Sequence, residues 1–286
     1  MQPERPQLPL DVDEVIGRAL EEDLGAEGDV TSRASLAPEL AARARIEARA
    51  DGVLSGLPVA ERVVLAVDHS VGFNSRLRDG DRVTSGDVVA DIEGPARSIM
   101  AAERTALNFL THLSGIATLT REFVDACRGT ESRILCTRKT LPGLRSLERY
   151  AVECGGGRLH RAGLHDGVLL KDNHVALAGG VREAVSATRD NAPHTLRVEV
   201  EVETLEQVDE ALAAGADAIL LDNADVETVR KAVDLVGGRV PLEISGGMTI
   251  DRVREIAPLG RLLISVGRIT HSAPALDLAL EVEHLR

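Results

Sequence analysis

Aromatic rings are nearly missing from this chain: there is no Trp, Tyr150 is the single tyrosine, and Phe73, Phe109 and Phe123 are the only phenylalanines. Bases therefore have almost nothing to stack on, which argues against a single-stranded nucleic-acid partner. A formal net charge of -13 argues against a duplex as well, because backbone binding is driven by basic surface and counterion release. Long apolar runs are also lacking, each being interrupted by charge well short of the ~20 residues a membrane helix needs. Pro3, Pro6 and Pro9 stand where a signal peptide would carry its apolar core, so no membrane association and a cytoplasmic location are expected. Cys127, Cys136 and Cys154 are odd in number and lack the paired spacing of a zinc or redox motif, and we expect reduced, mostly buried thiols. Lysine is scarce too, with Lys139, Lys171 and Lys231 making up the whole complement.

What the chain does have is a concentration of cations between residues 137 and 174. Thr137-Arg138-Lys139-Thr140, Arg145, Arg149, Gly155-Gly156-Gly157, His160-Arg161 and Lys171-Asp172-Asn173-His174 fall in this stretch. In an acidic protein such a cluster calls for an anion: an Arg fork suits a planar carboxylate or phosphate, and a point ammonium suits charge that shifts during a reaction. Arg145 and Arg149 are read as solvated helix charges. His160, beside Arg161, is assigned to anion binding, whereas His174 and His271 could be ligands, bases or plain hydrogen-bonding residues. No His pair has zinc-ligand spacing on one helix face.

The rest of the chain divides in two. Residues 11–24 have helical period with Asp11 as the candidate N-cap. From 44 to 93 short β-type runs alternate with Asp-Gly and Ser-Gly turns around one helix at 59–67. Residues 79–94 resemble the hammerhead turns of biotinyl and lipoyl carriers, but no lysine precedes Lys139, so a carrier role is rejected and a small α+β domain is expected. Residues 98–128 are helical in period, with Gly115 expected to separate two helices. Arg104, within Glu103-Arg104-Thr105, leaves one domain on this helix and could reach a neighbouring subunit.

After Gly129, short apolar runs at 133–137, 167–171, 196–202, 218–222, 241–245 and 262–267 alternate with helical stretches, the pattern of parallel βαβ units. About six units fall short of the eight of a full barrel, so an incomplete or distorted barrel is expected. Its strands end on Arg138 and Lys139, Lys171, Glu201, Asp222, Ser245-Gly246-Gly247 and Gly267, and barrels place their chemistry at such ends. Val198, Val200 and Val202 alternate with Glu199, Glu201 and Glu203, which puts the acids into the lumen if helices cover the valines. With Asp222 they offer Mg²⁺ its preferred carboxylate oxygens, or else a salt-bridge network with Lys171 or Arg161. The glycines at 246–247 and 267 let backbone amides approach a phosphate.

Taken together, these motifs resemble the quinolinate phosphoribosyltransferases. The matching residues are Glu103-Arg104-Thr105 with Asn108, the run 137–145, Gly155-Gly156-Gly157 before His160-Arg161, and Lys171-Asp172-Asn173-His174. Val200-Glu201-Val202, Leu221-Asp222-Asn223, Ser245-Gly246-Gly247 and Val266-Gly267 complete the set. Leu159 and Ala162 depart from the family's usual Asn and Leu there. The resemblance implies the type II phosphoribosyltransferase fold: an N-terminal open-faced α/β sandwich over 1–110, an incomplete α/β barrel over 111–272, and a C-terminal helix over about 273–286 packed back on the sandwich. It implies transfer from phosphoribosyl pyrophosphate to quinolinate with decarboxylation, in a homodimer or higher homo-oligomer, with Mg²⁺ on Glu201 and Asp222. Lys139, Lys171, Glu201 and Asp222 are then catalytic. Arg104 from the partner, Thr137, Arg138, His160 and Arg161 join them on the substrates, and Ser245, Gly246, Gly247, Val266, Gly267 and Arg268 take the phosphate end. Other acceptors such as nicotinate, a relative in molybdenum metabolism, and a Schiff-base aldolase using Lys171 are the alternatives.

Overall fold

Ala42, Ala44, Ile46 and Ala48 are buried while Arg43, Arg45 and Glu47 lie on the opposite face, the period-two mark of a strand covered on one side. This is β1 (Ala41–Ala48) in a computed structural model that describes residues 6–283. Before it come α1 (Val12–Leu24) and α2 (Val30–Ser35); after it come β2 (Gly52–Val53), α3 (Leu57–Val67), β3 (Gly72–Ser75), β4 (Arg82–Val83) and β5 (Val88–Pro95). Asp11 occupies the N-cap position of α1 without capping it, and instead accepts the Ser146 hydroxyl at 2.9 Å. Asp79, expected in a surface turn, caps α3: it accepts the Gly56 and Leu57 amides at 2.7 and 3.0 Å and the Tyr150 hydroxyl at 2.7 Å.

The C-terminal helix expected over about 273–286 is instead a strand, β12 (Leu278–Glu283), with residues 284–286 outside the described part. It pairs antiparallel with β1, Leu278 opposite Ala48 and Glu283 opposite Arg43, completing the order β12-β1-β5-β3. The physical reason is the edge of β1. Without β12, a row of backbone donors and acceptors would be left without a ladder partner. Cross-strand charges, Arg43 to Glu93 at 3.1 Å and Arg45 to Glu283 at 3.5 Å, dress the open face.

Gly115 does not separate two helices. A single helix, α4 (Ala96–Ala126), runs 31 residues through it. The glycine is required by a close approach of backbone: a Cβ there would overlap the Pro274 carbonyl oxygen and stand 3.0 Å from Ala275 Cα. The Leu276 amide donates to the Thr111 carbonyl on the same turn.

By its contacts the chain forms two units, one made of Met1–Arg121, Thr140–Gly156 and Ile269–Arg286, the other of Glu122–Lys139 and Gly157–Arg268. The expected division at residue 110 thus differs from the observed one in two ways: the break within α4 falls later, after Arg121, and α5 (Arg145–Cys154) belongs to the first unit. Buried Glu148 on α5 accepts the Leu141 amide at 3.2 Å and meets His112 Nε2 at 3.0 Å, and Tyr150 reaches Asp79. Burial pushes the Cys154 thiol up to about 12 and that of Cys127 up to about 11, so both stay protonated and unreactive.

The second unit is built on six parallel strands in the order β6-β11-β10-β9-β8-β7. These are β6 (Arg133–Leu135), β7 (Val168–Leu170), β8 (Val198–Val202), β9 (Ala218–Asp222), β10 (Leu242–Ser245) and β11 (Leu262–Ser265). Among the described residues no ladder joins β6 to β7, so the barrel is incomplete. The connections carry α6 (Asp172–Ala178), α7 (Val181–Asn191), α8 (Leu205–Ala213), α9 (Val226–Val236), α10 (Ile250–Ile256) and a 3-10 turn at Ala257–Leu259; α11 (Arg268–His271) follows β11. Thr204, Asp225 and Thr249 cap α8, α9 and α10 by accepting the amides of Gln207, Thr228 and Arg252. No helix among the described residues is long and apolar enough to cross a membrane.

Exchanging a helix-interior glycine for alanine ordinarily gains about 0.5–1 kcal/mol. At Gly115 the overlap falls on backbone that cannot rotate aside, so Gly115→Ala is expected to cost about 1–3 kcal/mol instead. A urea midpoint equal to or above that of the wild type would show that the 274–275 segment yields.

Candidate active site

In the second unit β8 alternates cleanly, with Val198, Val200 and Val202 buried and Glu199 and Glu201 on the other face. Glu203, one residue beyond β8, is exposed and does not follow them inward. A cavity of about 330 Å³ opens where the strands end. Its rim is formed by Lys171 directly after β7, Glu201 near the end of β8, Asp222 closing β9 and Ser245 closing β10. Two residues earlier on their strands, and so ~7 Å deeper on the same face, lie Leu169, Leu220 and Glu243, with Ser265 at the end of β11.

Two loops supply the remaining cations. Thr137, Arg138 and Lys139 follow β6, while His160 and Arg161 precede β7, and all five line the cavity. Backbone pairing brings these loops together: Leu135 and Arg158 form a parallel bridge, the Arg158 amide donates to Ile134 O at 2.8 Å, and Cys136 N donates to Arg158 O at 3.0 Å. Thr137 Oγ1 accepts the Lys139 amide at 3.0 Å. Arg161 Nη1 donates to the Gly167 carbonyl at 3.0 Å, and burial, then the like charge of Arg138, draws its pKa down.

At the rim, Lys171 Nζ lies 2.9 Å from Glu201 Oε2. The Lys171 amide donates to His174 Nδ1 at 3.0 Å, so His174 anchors the start of α6 as a plain hydrogen-bonding residue. Next to Asp222, Asn223 adopts a left-handed backbone, φ 52, and its amide group donates to Asp222 Oδ2 at 2.7 Å. A Cβ on Gly246 would overlap Asn223 Oδ1, and φ is 90 there, so this turn demands glycine twice over.

Below the rim, His160 and Glu199 are joined by Glu243, which the residue pattern alone did not single out. Glu243, 2% exposed, accepts the Ser265 hydroxyl. His160 Nε2 lies 3.3 Å from Glu199 Oε2 and 3.5 Å from Glu243 Oε2, and Nδ1 accepts the Arg161 amide at 2.6 Å. The hydrogen bond to Glu199 raises the pKa of His160, and burial, followed by the charge of Glu199, raises that of Glu243. An imidazolium with two carboxylates and a neutral imidazole with one protonated glutamic acid carry the same net charge. Both shifts thus describe one retained proton. Glu243 was detectable in the sequence as a lone acid between Leu242 and Ile244, two residues before Ser245 and hence on its face.

Two places hold ligand-type groups. Glu201 and Asp222, on neighbouring strands, offer hard carboxylate oxygens at the rim. His160, Glu199 and Glu243 have ligand atoms within 4.8 Å of one another below it. Of the residues expected on substrate, Gly246, Gly247, Val266, Gly267 and Arg268 follow β10 and β11 and are not among the cavity lining. Arg104 lies exposed on α4 in the first unit, its guanidinium 3.7 Å from Glu103.

A carboxyl whose folded pKa is raised stabilises the fold fully in acid and loses that contribution as pH rises through its folded pKa. For Glu243 this means that wild-type thermal stability falls between pH ~5 and ~9, while Glu243→Gln, with no ionisable group there, falls less over the same range. Parallel melting curves for the two chains would assign the retained proton elsewhere.

Comparison with known proteins agrees with this geometry. The family model for the quinolinate phosphoribosyl transferase C-terminal domain matches residues 116–281, and that for the N-terminal domain matches 29–114. A probable nicotinate-nucleotide pyrophosphorylase (carboxylating) from Bacillus subtilis is 42% identical over 261 residues, covering 91% of this chain and 90% of its own. The nicotinate-nucleotide pyrophosphorylase (carboxylating) of Mycobacterium leprae is 43% identical over 277 residues, covering 94% and 96%. The crystal structure of NadC from Streptococcus pyogenes superposes with a TM-score of 0.94 at 40% identity, covering 99% of this chain and 100% of that one. With both family models matched and relatives of this identity spanning nearly its whole length, the chain belongs to the quinolinate phosphoribosyltransferase family.

Proposed function

We propose that the chain transfers the phosphoribosyl group of phosphoribosyl pyrophosphate to quinolinate and decarboxylates the adduct, giving nicotinate mononucleotide, CO₂ and pyrophosphate, as a step of NAD biosynthesis. One observation carries this reading beyond family membership: a single cavity sets Arg138, Lys139, Arg161 and Lys171 against Glu201 and Asp222. The names borne by the relatives, carboxylating pyrophosphorylases of nicotinate nucleotide, describe the same conversion in reverse.

Quinolinate is a dianion, and the Arg forks suit its planar carboxylates. Lys139 and Lys171 add point charges. The pyridine nitrogen forms a bond to the anomeric carbon as the bond from that carbon to pyrophosphate breaks, and the ribosyl centre passes through oxocarbenium character. Glu201 and Asp222, fixed on strands, stabilise that positive charge without having to reorganise. The ring nitrogen is then a pyridinium. The C2 carboxylate leaves as CO₂, its bonding pair is taken up by the ring, and a proton from solvent replaces it. Ser245, Gly246 and Gly247, with Val266, Gly267 and Arg268, are proposed for the 5-phosphate. Mg²⁺ is proposed on Glu201 and Asp222, whose oxygen donors fit it; bound there it would neutralise the departing pyrophosphate. Arg104 is proposed to reach the cavity of a second copy in a homodimer. A cytoplasmic site of action is proposed, in keeping with Cys127 and Cys154 as buried, protonated thiols.

The direct test supplies carboxyl-labelled quinolinate, phosphoribosyl pyrophosphate and Mg²⁺, with nicotinate as the comparison acceptor. Labelled CO₂ and pyrophosphate in equal amounts from quinolinate alone are expected. Pyrophosphate release with nicotinate and none with quinolinate would overturn the assignment of the dicarboxylate. In calorimetry, Arg161→Ala is expected to weaken quinolinate binding by about 1.5–3 kcal/mol, the size of a charge-assisted hydrogen bond. Chelation with EDTA should abolish turnover, and added Mg²⁺ should restore it; full activity in EDTA would remove the metal from Glu201 and Asp222.

A further inference from the structure

Beneath the rim, Glu199, Glu243 and Ser265 take no part in the proposed chemistry. Ser265 and Glu243 are buried there, 4% and 2% exposed, and the Ser265 hydroxyl holds Glu243 Oε1. Glu243 Oε2 and Glu199 Oε2 face the same nitrogen, His160 Nε2, at 3.5 and 3.3 Å. By composition His160, Glu199 and Glu243 would suit a metal ion. The other ring nitrogen decides against it. The Arg161 amide points at Nδ1 from 2.6 Å, and a backbone N–H cannot turn its hydrogen away. Nδ1 must therefore offer a lone pair, which leaves the proton of a neutral imidazole on Nε2, between the two carboxylates. A nitrogen that carries a proton does not ligate a metal.

We infer that Glu243 is a positioning residue for Arg161: held by Ser265 and acting with Glu199, it fixes His160 as the Nε2–H tautomer, so that Nδ1 receives the Arg161 amide and sets that residue in the cavity wall. The relay runs from β11 through β10 and β8 to the loop before β7, which no helix or ladder fixes at residue 161. It holds the root of the Arg161 side chain, while the bond from Nη1 to Gly167 O holds its tip. Two fixed ends define the direction in which the guanidinium presents its remaining donors. Without the relay, the ring can rotate, the amide loses its acceptor, and the guanidinium no longer has one fixed root.

The functional half of this inference rests on the reading of Arg161 as a ligand of quinolinate, and the experiment separates the two. Wild type, Glu243→Met, Glu243→Gln and Ser265→Ala are compared for kcat and for the KM of each substrate. The tautomer of His160 is read from long-range ¹H–¹⁵N spectra of histidine-labelled enzyme, assigned with His160→Asn. The wild-type ring is expected as Nε2–H. Glu243→Met, which lacks the acceptor, is expected to raise the quinolinate KM about tenfold, with kcat and the KM for phosphoribosyl pyrophosphate within about twofold of wild type. Glu243→Gln, which keeps an acceptor of the same shape, recovers most of that difference. Should Glu243→Met not fold, Ser265→Ala and the wild-type spectrum decide: an intermediate rise in quinolinate KM and an Nε2–H ring support the relay. A wild-type ring protonated on Nδ1, or folded variants with unchanged quinolinate KM, overturns it. A wild type that does not turn over quinolinate at all fails the functional reading alone, and the spectra of wild type and variants still test the relay.

Discussion

Carboxylates that a sheet turns into one lumen must be neutralised there, and the second unit is organised around that constraint. Period two on β8 and β10 sends Glu199, Glu201 and Glu243 to the same side, and Asp222 joins them from the end of β9. Left uncompensated, each buried charge would cost several kcal/mol. The two depths of the lumen solve the problem differently. At the rim, Glu201 meets the ammonium of Lys171 at 2.9 Å, half in water. Beneath it, Glu199 and the buried Glu243 meet an imidazole and share a retained proton. A half-exposed lysine therefore lies where a substrate can exchange partners with it, and a hydrogen-bonded group lies beneath.

The cations show the reverse arrangement. Arg138 and Arg161 come from loops on either side of α5 in sequence, and the bridge of Leu135 with Arg158 draws those loops together. Like charges are thereby crowded, and the pKa of Arg161 is drawn down by burial and by Arg138. Such crowding is unfavourable in the empty cavity and is relieved by an anion, so part of the affinity for a dianion is built into the unliganded protein. The same logic explains why the chain can be acidic as a whole and still bind a doubly negative ligand: the field that matters is local, screened from distant surface charge over about 8–10 Å.

Much of this was legible in the residues. The β8 alternation located Glu199 and Glu201, and the residues following each apolar run identified the rim as Lys171, Asp222 and Ser245. What could not be read locally depended on partners distant in sequence. Leu278 to Glu283 has helix-forming composition, and only the free edge of β1 makes it a strand. Gly115 looks like a break until the 274–275 backbone is seen crossing it. The strongly amphipathic α5 falls between two barrel strands in sequence but packs with the first unit, because Glu148 and Tyr150 find His112 and Asp79 there. Glu243 was overlooked for a different reason: one acid in an apolar strand reads as an exception, although its spacing from Ser245 already placed it on the lumen face.

The position of Lys171 links the two halves of the charge pattern. Its ammonium can pair with Glu201 or with an incoming carboxylate, and three rotatable N–H donors on a flexible stem allow both. While Glu201 is paired, it is less available to a cationic centre. Once the lysine turns to a substrate anion, the charge of Glu201 is compensated by the proposed Mg²⁺ and by whatever positive character develops nearby. In the proposed reaction that character is the oxocarbenium-like ribosyl carbon, which exists only as pyrophosphate departs. An exchange of this kind directs binding energy away from the ground state and toward the transition state, the condition under which an interaction accelerates a reaction rather than merely tightening a complex. Arg161 cannot make such an exchange, since its root is tied to His160 Nδ1 and its tip to the Gly167 carbonyl. In the proposed reaction the cavity thus combines one cation fixed for recognition with one that changes partners.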